Sequence, residues 1–242
     1  MDKRPLLAVM IDADNVSSKH ADAILREISE IGDPALRRVY GDWSSPALSG
    51  WQDKIRELGM TARQQSANTK GKNASDIGLV IDAMDILHSG RFDGFVLVSS
   101  DSDFTQLASR LREDGKLVIG IGEKKTPSSL RNVCNRFVLI ENIIGASETG
   151  AKSDETTKLL AEAATLIRGA MDKIEQEGEW YNLGPIGSQL AAANPDFDAR
   201  TYGASKLSGL VKMLADFDTR QEGTHLQLRR SVRQQRARKR KA

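Results

Sequence analysis

The chain has 242 residues, 39% of them hydrophobic and 28% charged, with a formal net charge of +2, which is typical of a folded protein with one large or two smaller domains. The single cysteine, Cys134, excludes an internal disulfide and a thiolate zinc site, and the three histidines show no zinc-ligand spacing. Any bound metal is therefore expected to be a hard cation held by oxygen, namely Mg²⁺ or Mn²⁺.

The first predicted element is a strand over Leu6 to Ile11, a short apolar run that ends at Asp12. This run is too short and too acidic for a signal peptide or a membrane-spanning helix. No later segment reaches the roughly 18 apolar residues that a membrane span needs. We therefore expect a cytoplasmic protein without membrane contact.

Strand and helix patterns alternate through the first 145 residues. The spacing of apolar residues predicts helices near 21–31, 51–58, 74–87, 105–112 and 128–133. Short apolar runs between them predict strands near 36–40, 95–98, 117–121 and 137–140, and the more polar stretch 60–65 predicts a strand near an edge of the sheet. This alternation is typical of an α/β fold with a mostly parallel sheet between two helical layers, in which all strand carboxyl ends lie along one edge.

Acidic residues directly follow two of these strands. Asp12 ends the first strand, and Asp101 and Asp103 follow the strand that begins at Phe95. In a doubly wound sheet these two strands are neighbours, so we expect the three carboxylates to lie close together. Because like charges repel, a divalent cation between them would stabilise the arrangement. Asp103 is alternatively an N-cap for the helix that follows.

Other polar residues are candidates for the same site. Asp76 lies in the first turn of the third predicted helix. It is either a fourth metal ligand or a carboxylate that the helix dipole stabilises. Lys72, in the glycine-containing loop before that helix, contacts phosphate or is simply exposed. Asn15, Ser99 and Thr105 are candidates for orienting water or substrate, although serine and threonine hydroxyls more commonly bond to nearby backbone.

The last hundred residues differ in pattern from the first part. Residues 146–157 are small and polar and predict a linker, and residues 158–228 show three helical patterns and a hairpin, the order of a winged-helix domain.

The C-terminal residues 229–242 contain eight cations and no anion. Because the whole chain has a net charge of +2, the other residues together have a net charge of +2 − 8 = −6. The cations are Arg229, Arg230, Arg233, Arg236, Arg238, Lys239, Arg240 and Lys241. This segment is predicted to be a disordered basic tail that binds phosphates, or alternatively one that aids solubility.

Three motifs in order resemble the NYN domain, a LabA-like branch of the PIN-like nucleases. They are Ile11-Asp12-Ala13-Asp14-Asn15, Lys-Gly-Lys-Asn-Ala-Ser-Asp-Ile around Asp76, and Val98-Ser99-Ser100-Asp101-Ser102-Asp103-Phe104. The resemblance covers about residues 5 to 145 and implies a Rossmann-like three-layer α/β/α fold, an acidic metal site and ribonuclease activity.

Carried over residue by residue, the resemblance assigns the catalytic metal-binding acids to Asp12, Asp76, Asp101 and Asp103. Asn15 would be the polar residue of the first motif. Ser100 stands where the family often has glycine, and Asp14 receives no role.

Residues 158–228 resemble the LOTUS (OST-HTH) domain, a winged-helix module. The features are the pair Trp180-Tyr181, the turn Pro195-Asp196-Phe197, the pair Tyr202-Gly203 and a helix from Leu207 to Leu214. The resemblance implies RNA as a partner, and leaves open a protein partner or self-association through this domain.

The sequence therefore predicts a ribonuclease that hydrolyses phosphodiesters with metal-activated water, with a nuclease domain at 1–145, a linker at 146–157, an RNA-binding winged helix at 158–228 and a basic tail at 229–242. One alternative is a non-catalytic RNA-binding adaptor. Another is a phosphatase of the haloacid dehalogenase type with Asp12 as nucleophile, because Asp12-Ala13-Asp14-Asn15-Val16 matches its first motif. It ranks lower because the sequence shows no large cap.

Overall fold

The structure, a computed structural model, describes residues 4–64, 74–145, 153–176 and 178–231. The chain divides at Gly145 into two units, each with its own hydrophobic core. Within the described residues no helix is both long enough and apolar enough to cross a membrane.

The first unit alternates strands and helices as the sequence predicts. Its described strands are β1 (Leu6–Asp12), β2 (Asp33–Gly41), β3 (Thr61–Gln64), β4 (Gly94–Val98), β5 (Leu117–Gly122) and β6 (Arg136–Leu139). Its described α-helices are α1 (Ala21–Ile31), α2 (Ser49–Glu57), α3 (Ala74–His88), α4 (Thr105–Glu113), α5 (Ser128–Val133) and α6 (Ile140–Ile143).

These strands form one parallel sheet in the order β3-β2-β1-β4-β5-β6, with helices on both faces. The predicted Rossmann-like α/β/α architecture is confirmed. The chain moves outward from β1 to β3 and then returns to β4 on the other side of β1. In open α/β sheets the binding crevice lies at the carboxyl ends of the two strands where the order reverses, here β1 and β4.

The central strand β1 is buried on both faces because consecutive side chains of a strand point to opposite sides of the sheet. Leu7, Val9 and Ile11 pack against α1 and α2, whereas Ala8 and Met10 belong to the core beneath α3 and α4. This double burial explains the near-continuous apolar run, and it gives the strand end at the crevice a rigid base.

Helix α3 is apolar on more than one face, so its sequence period does not identify the buried side. The structure buries Leu79, Ala83 and Ile86, but leaves Ile77 62% and Ile81 58% exposed. The outer face of the helix that carries Asp76 is therefore an exposed apolar surface among the described residues.

The second unit contains three described α-helices and a small antiparallel sheet. The elements are α7 (Ser153–Asp172), β7 (Tyr181–Asn182), α8 (Leu183–Ala193), α9 (Leu207–Met213), β8 (Phe217–Glu222) and β9 (His225–Arg230). The sheet order is β7-β9-β8, so the predicted hairpin gains a third strand from the residues before α8. Its core includes Ile167, Ile186, Leu210 and Leu228.

Two elements of this unit extend past its predicted boundaries. Helix α7 begins at Ser153, inside the predicted linker, because short polar residues are as common in the first turn of a helix as in a loop. Strand β9 continues to Arg230, two residues beyond the predicted end of the domain, with Arg229 opposite Asp218 in the sheet. Arg229 and Arg230 therefore belong to the folded domain and not to the basic tail.

Candidate functional site

The carboxyl ends of β1 and β4 and the first turn of α3 meet at the crevice. Strand β1 ends at Asp12, the chain leaves β4 through Ser99 and Ser100 to Asp101, and α3 carries Asp76 in its first turn. The side chains at this edge are acidic and come from three separate parts of the sequence.

The structure brings Asp76, Asp101 and Asp103 together. Each can offer a carboxylate oxygen such that the three atoms lie within 4.8 Å of one another. Asp76 and Asp101 are half-buried and Asp103 is exposed, so the group opens to solvent on one side. Three oxygens at this spacing match the donor type that Mg²⁺ and Mn²⁺ prefer.

Asp12 lies beside this group as a buried and fully oriented carboxylate, 1% exposed. It accepts hydrogen bonds from the Ser99 hydroxyl at 2.9 Å and the Asn15 side-chain amide at 2.9 Å. The backbone N–H groups of Asp14 and Asn15 donate to it at 3.1 and 3.3 Å. Burial raises the pKa of Asp12, and the hydrogen bonds from Ser99 and Asn15 oppose that rise.

The pKa of Asp76 is raised to about 6, first by burial and then by the negative charges of Asp12, Asp101, Asp103 and Asp14. The charge of Asp12 acts on Asp76 more strongly than those of Asp101 and Asp103, so Asp12 is electrostatically coupled to the cluster. The exposed Asp14, to which the sequence assigned no role, also raises the pKa of Asp76. A cation bound between these carboxylates would remove the repulsion that holds the pKa of Asp76 high.

The predicted polar helpers make local hydrogen bonds. Asn15 and Ser99 donate to Asp12, and the Ser99 hydroxyl also accepts from the Asp101 backbone N–H at 3.1 Å. The Thr105 hydroxyl donates to the Ser102 carbonyl at 2.6 Å. Asn15 and Ser99 thus orient the Asp12 carboxylate, and Thr105 bonds to nearby backbone; a role of these residues in orienting water or substrate stays a prediction.

The cap before α4 is Asp101 and not Asp103. The Asp103 backbone N–H donates to the Asp101 carboxylate at 2.9 Å, at the start of a 3-10 turn (Ser102–Phe104) that leads into α4. The cap orients Asp101 without removing it from the acidic group.

Some predicted site residues lie outside the residues that the structure describes. They are Lys72, Arg233, Arg236, Arg238, Lys239, Arg240 and Lys241.

One residue near the site, Asp82, is not identified by the sequence patterns. Asp82 accepts hydrogen bonds from the Arg38 guanidinium and the Tyr40 hydroxyl, and the Arg63 Nε lies 3.7 Å from its carboxylate. The available signal was the pair Arg38 and Tyr40, which lie on one face of β2 and need a polar partner there.

A model of the NYN domain matches residues 6–141, more than half of the chain. The protein belongs to the NYN domain family. A model of the OST-HTH/LOTUS domain matches residues 151–228, so the two units of this NYN protein correspond to two known domains. Both predicted resemblances are confirmed. The two domains together support an RNA-related function, either nuclease-like or RNA-binding.

Two further comparisons each match part of the chain. An uncharacterised protein of Methanocaldococcus jannaschii, MJ0482, is 27% identical over 140 residues, which is 55% of this chain and 55% of that protein. The chain therefore matches about half the length of that relative. The crystal structure of a protein of unknown function from Vibrio parahaemolyticus, VPA0982, superimposes with a TM-score of 0.51 at 20% identity, over 59% of this chain and 97% of that one. This likeness supports the fold alone.

Proposed function

We propose that this NYN protein is a metal-dependent ribonuclease that hydrolyses phosphodiester bonds. The observation that carries the proposal is the convergence of Asp76, Asp101 and Asp103 within 4.8 Å, beside the buried charge of Asp12. Three carboxylates this close together, where the strand order reverses, repel one another, and a cation between them would offset that repulsion; this family is PIN-like and nuclease-related.

Asp76, Asp101 and Asp103 would hold Mg²⁺ or Mn²⁺ through oxygen. When bound, such an ion supplies Lewis-acid chemistry that lowers the pKa of water and neutralises charge on the reacting phosphate. The four donors that orient Asp12 favour its ionised form, and a negative charge there would favour a cation in the group. The exposed side at Asp103 is the side from which a phosphate approaches.

The phosphatase alternative is disfavoured by the burial of Asp12. A nucleophilic carboxylate has to reach the phosphorus of its substrate, whereas Asp12 is 1% exposed and already bonded by four donors. Trapping of an aspartyl-phosphate on Asp12 would overturn this reasoning.

The OST-HTH/LOTUS unit and the basic segment after it would hold RNA while the first unit cleaves it. The test is a cleavage and binding panel with labelled single- and double-stranded RNA and DNA, with Mn²⁺ or with EDTA. The proposal predicts RNA cleavage that EDTA abolishes and that Asp101→Asn removes. RNA binding that persists in EDTA without any turnover in Mn²⁺ would instead identify a non-catalytic adaptor.

A further inference from the structure

Helix α3 is tied to the sheet by a polar contact six residues after Asp76. The Asp82 carboxylate, 19% exposed, accepts hydrogen bonds from the Tyr40 hydroxyl and the Arg38 guanidinium. Tyr40 is fully buried at the carboxyl end of β2, where it is paired in register with Asp12. The network therefore connects α3 to the strand beside the one that carries Asp12.

The tyrosine is a permanent donor in this network. Burial and the adjacent Asp82 carboxylate raise the pKa of Tyr40 well above its usual value, so the phenol stays protonated. Arg38 is largely enclosed as well, which shields its ion pair from solvent. Hydrogen bonds to an ionised group in such surroundings are stronger and more directional than neutral ones.

Apolar packing sets which face of α3 is buried, and the Asp82 contact adds a directional constraint on the rotation of the helix. Leu79, Ala83 and Ile86 face the sheet, whereas Ile77 and Ile81 face outward and are exposed among the described residues. A helix side chain extends about 5–6 Å from the axis, so a rotation of about 10° moves the Asp76 carboxylate by about 1 Å. Metal–ligand distances are tolerated only within about 0.2 Å, so a rotation of this size disrupts coordination.

We propose that Asp82, together with Arg38 and Tyr40, is a positioning group that fixes the rotation of α3 and so places Asp76 in the ion site. The inference rests on the proposed ion site and adds residues that do not touch it. Because Mg²⁺ requires near-ideal octahedral geometry and Ca²⁺ tolerates irregular geometry, loss of the positioning group weakens Mg²⁺ binding more than Ca²⁺ binding.

The test is calorimetric titration of the full chain with Mg²⁺ and with Ca²⁺, for wild type, Asp82→Asn and Tyr40→Phe. The expected result is a rise of about tenfold in the Mg²⁺ dissociation constant for both variants, and of less than about threefold for Ca²⁺. Asp85→Asn is the matched control, because Asp85 is exposed on the same helix and its loss removes the same charge. Tyr40→Phe changes no charge, and thermal unfolding shows whether each variant is folded.

Unchanged Mg²⁺ binding in folded Tyr40→Phe and Asp82→Asn, with wild type binding normally, overturns the positioning role and leaves the proposed function standing. Equal weakening for Mg²⁺ and Ca²⁺ in Asp82→Asn, matched by Asp85→Asn, also overturns it, because only charge then matters. Absence of ion binding in wild type instead refutes the proposed function itself.

Discussion

Removing the charge of Asp76 is expected to stabilise the metal-free protein at neutral pH. The folded-state pKa of Asp76 is about 6, against an ordinary value of 3.8. A carboxyl whose pKa rises on folding contributes stability that is fully present below about pH 4 and is lost as the pH rises through about 6. Above that pH the ionised group costs folding free energy, and asparagine avoids this cost.

The magnitude follows from the size of the shift. A shift of about two pKa units corresponds to roughly 3 kcal/mol, and partial exposure of Asp76 reduces the effective value to about 1–2 kcal/mol. For a domain of this size, that free energy raises the midpoint of thermal unfolding by about 3–8 °C. The gain applies at pH 7.5 and is largely lost near pH 4, where the wild-type carboxyl is protonated in the folded state and about half protonated in the unfolded state.

The assay is thermal unfolding in EDTA, followed by circular dichroism at pH 4 and pH 7.5, for wild type and Asp76→Asn. Asp85→Asn serves as the control for a charge removed from an exposed position of the same helix. Mg²⁺ should then stabilise wild type, by about 2.7 kcal/mol at a hundred times its dissociation constant, and leave Asp76→Asn nearly unchanged. A destabilised Asp76→Asn at pH 7.5, or a gain that is equal at both pH values, would refute the argument that repulsion strains this cluster.

Three other perturbations test separate parts of the structure. Ser99→Ala removes a hydrogen bond from buried Asp12 and should lower the free energy of unfolding by about 1–3 kcal/mol, measured by urea titration; no change would show that the bond is not needed. Trp180→Ala should destabilise the second unit by about 1 kcal/mol or more, because the indole lies 4.7 Å from the Arg229 guanidinium, and proteolysis of the wing reports the loss; equal protection in both proteins would contradict it. Truncation after Ser231 removes six cations and should lower the salt dependence of single-stranded RNA binding by about four in log–log slope; an unchanged slope would place the phosphate contacts elsewhere.

The sequence predicts the sheet and the acids well because both depend on local patterns. Buried parallel strands are apolar on both faces, and their carboxyl ends must share one edge, so Asp12 and Asp101 can be brought together without coordinates. Asp76 could be placed on a helix but not at the edge of the sheet, and its place in the cluster came from the resemblance. The cytoplasmic location stays a prediction.

What the sequence did not predict depends on partners that are distant along the chain. The contact of Asp82 could not be predicted because helix periodicity does not reveal its partner Tyr40, which lies 42 residues earlier on the strand that the helix faces. The sequence predicts Arg229 as part of the tail because it begins a run of cations with no nearby anion in the sequence. In the structure its guanidinium lies 3.1 Å from the Asp218 carboxylate on the neighbouring strand of the hairpin. Ser99 could be recognised as polar at a strand end, but its bond to Asp12 required the register of two strands.

We propose that the acidic cluster of this protein cleaves RNA with a divalent ion. The most direct test is the single-turnover rate of cleavage of one labelled RNA in Mn²⁺ by wild type and by Asp101→Asn, with thermal unfolding confirming that the variant is folded. Metal-dependent catalysis predicts a rate that EDTA abolishes and that Asp101→Asn lowers by at least about 100-fold. Cleavage that survives both EDTA and Asp101→Asn, or no cleavage by wild type with Mn²⁺ demonstrably bound, would contradict it.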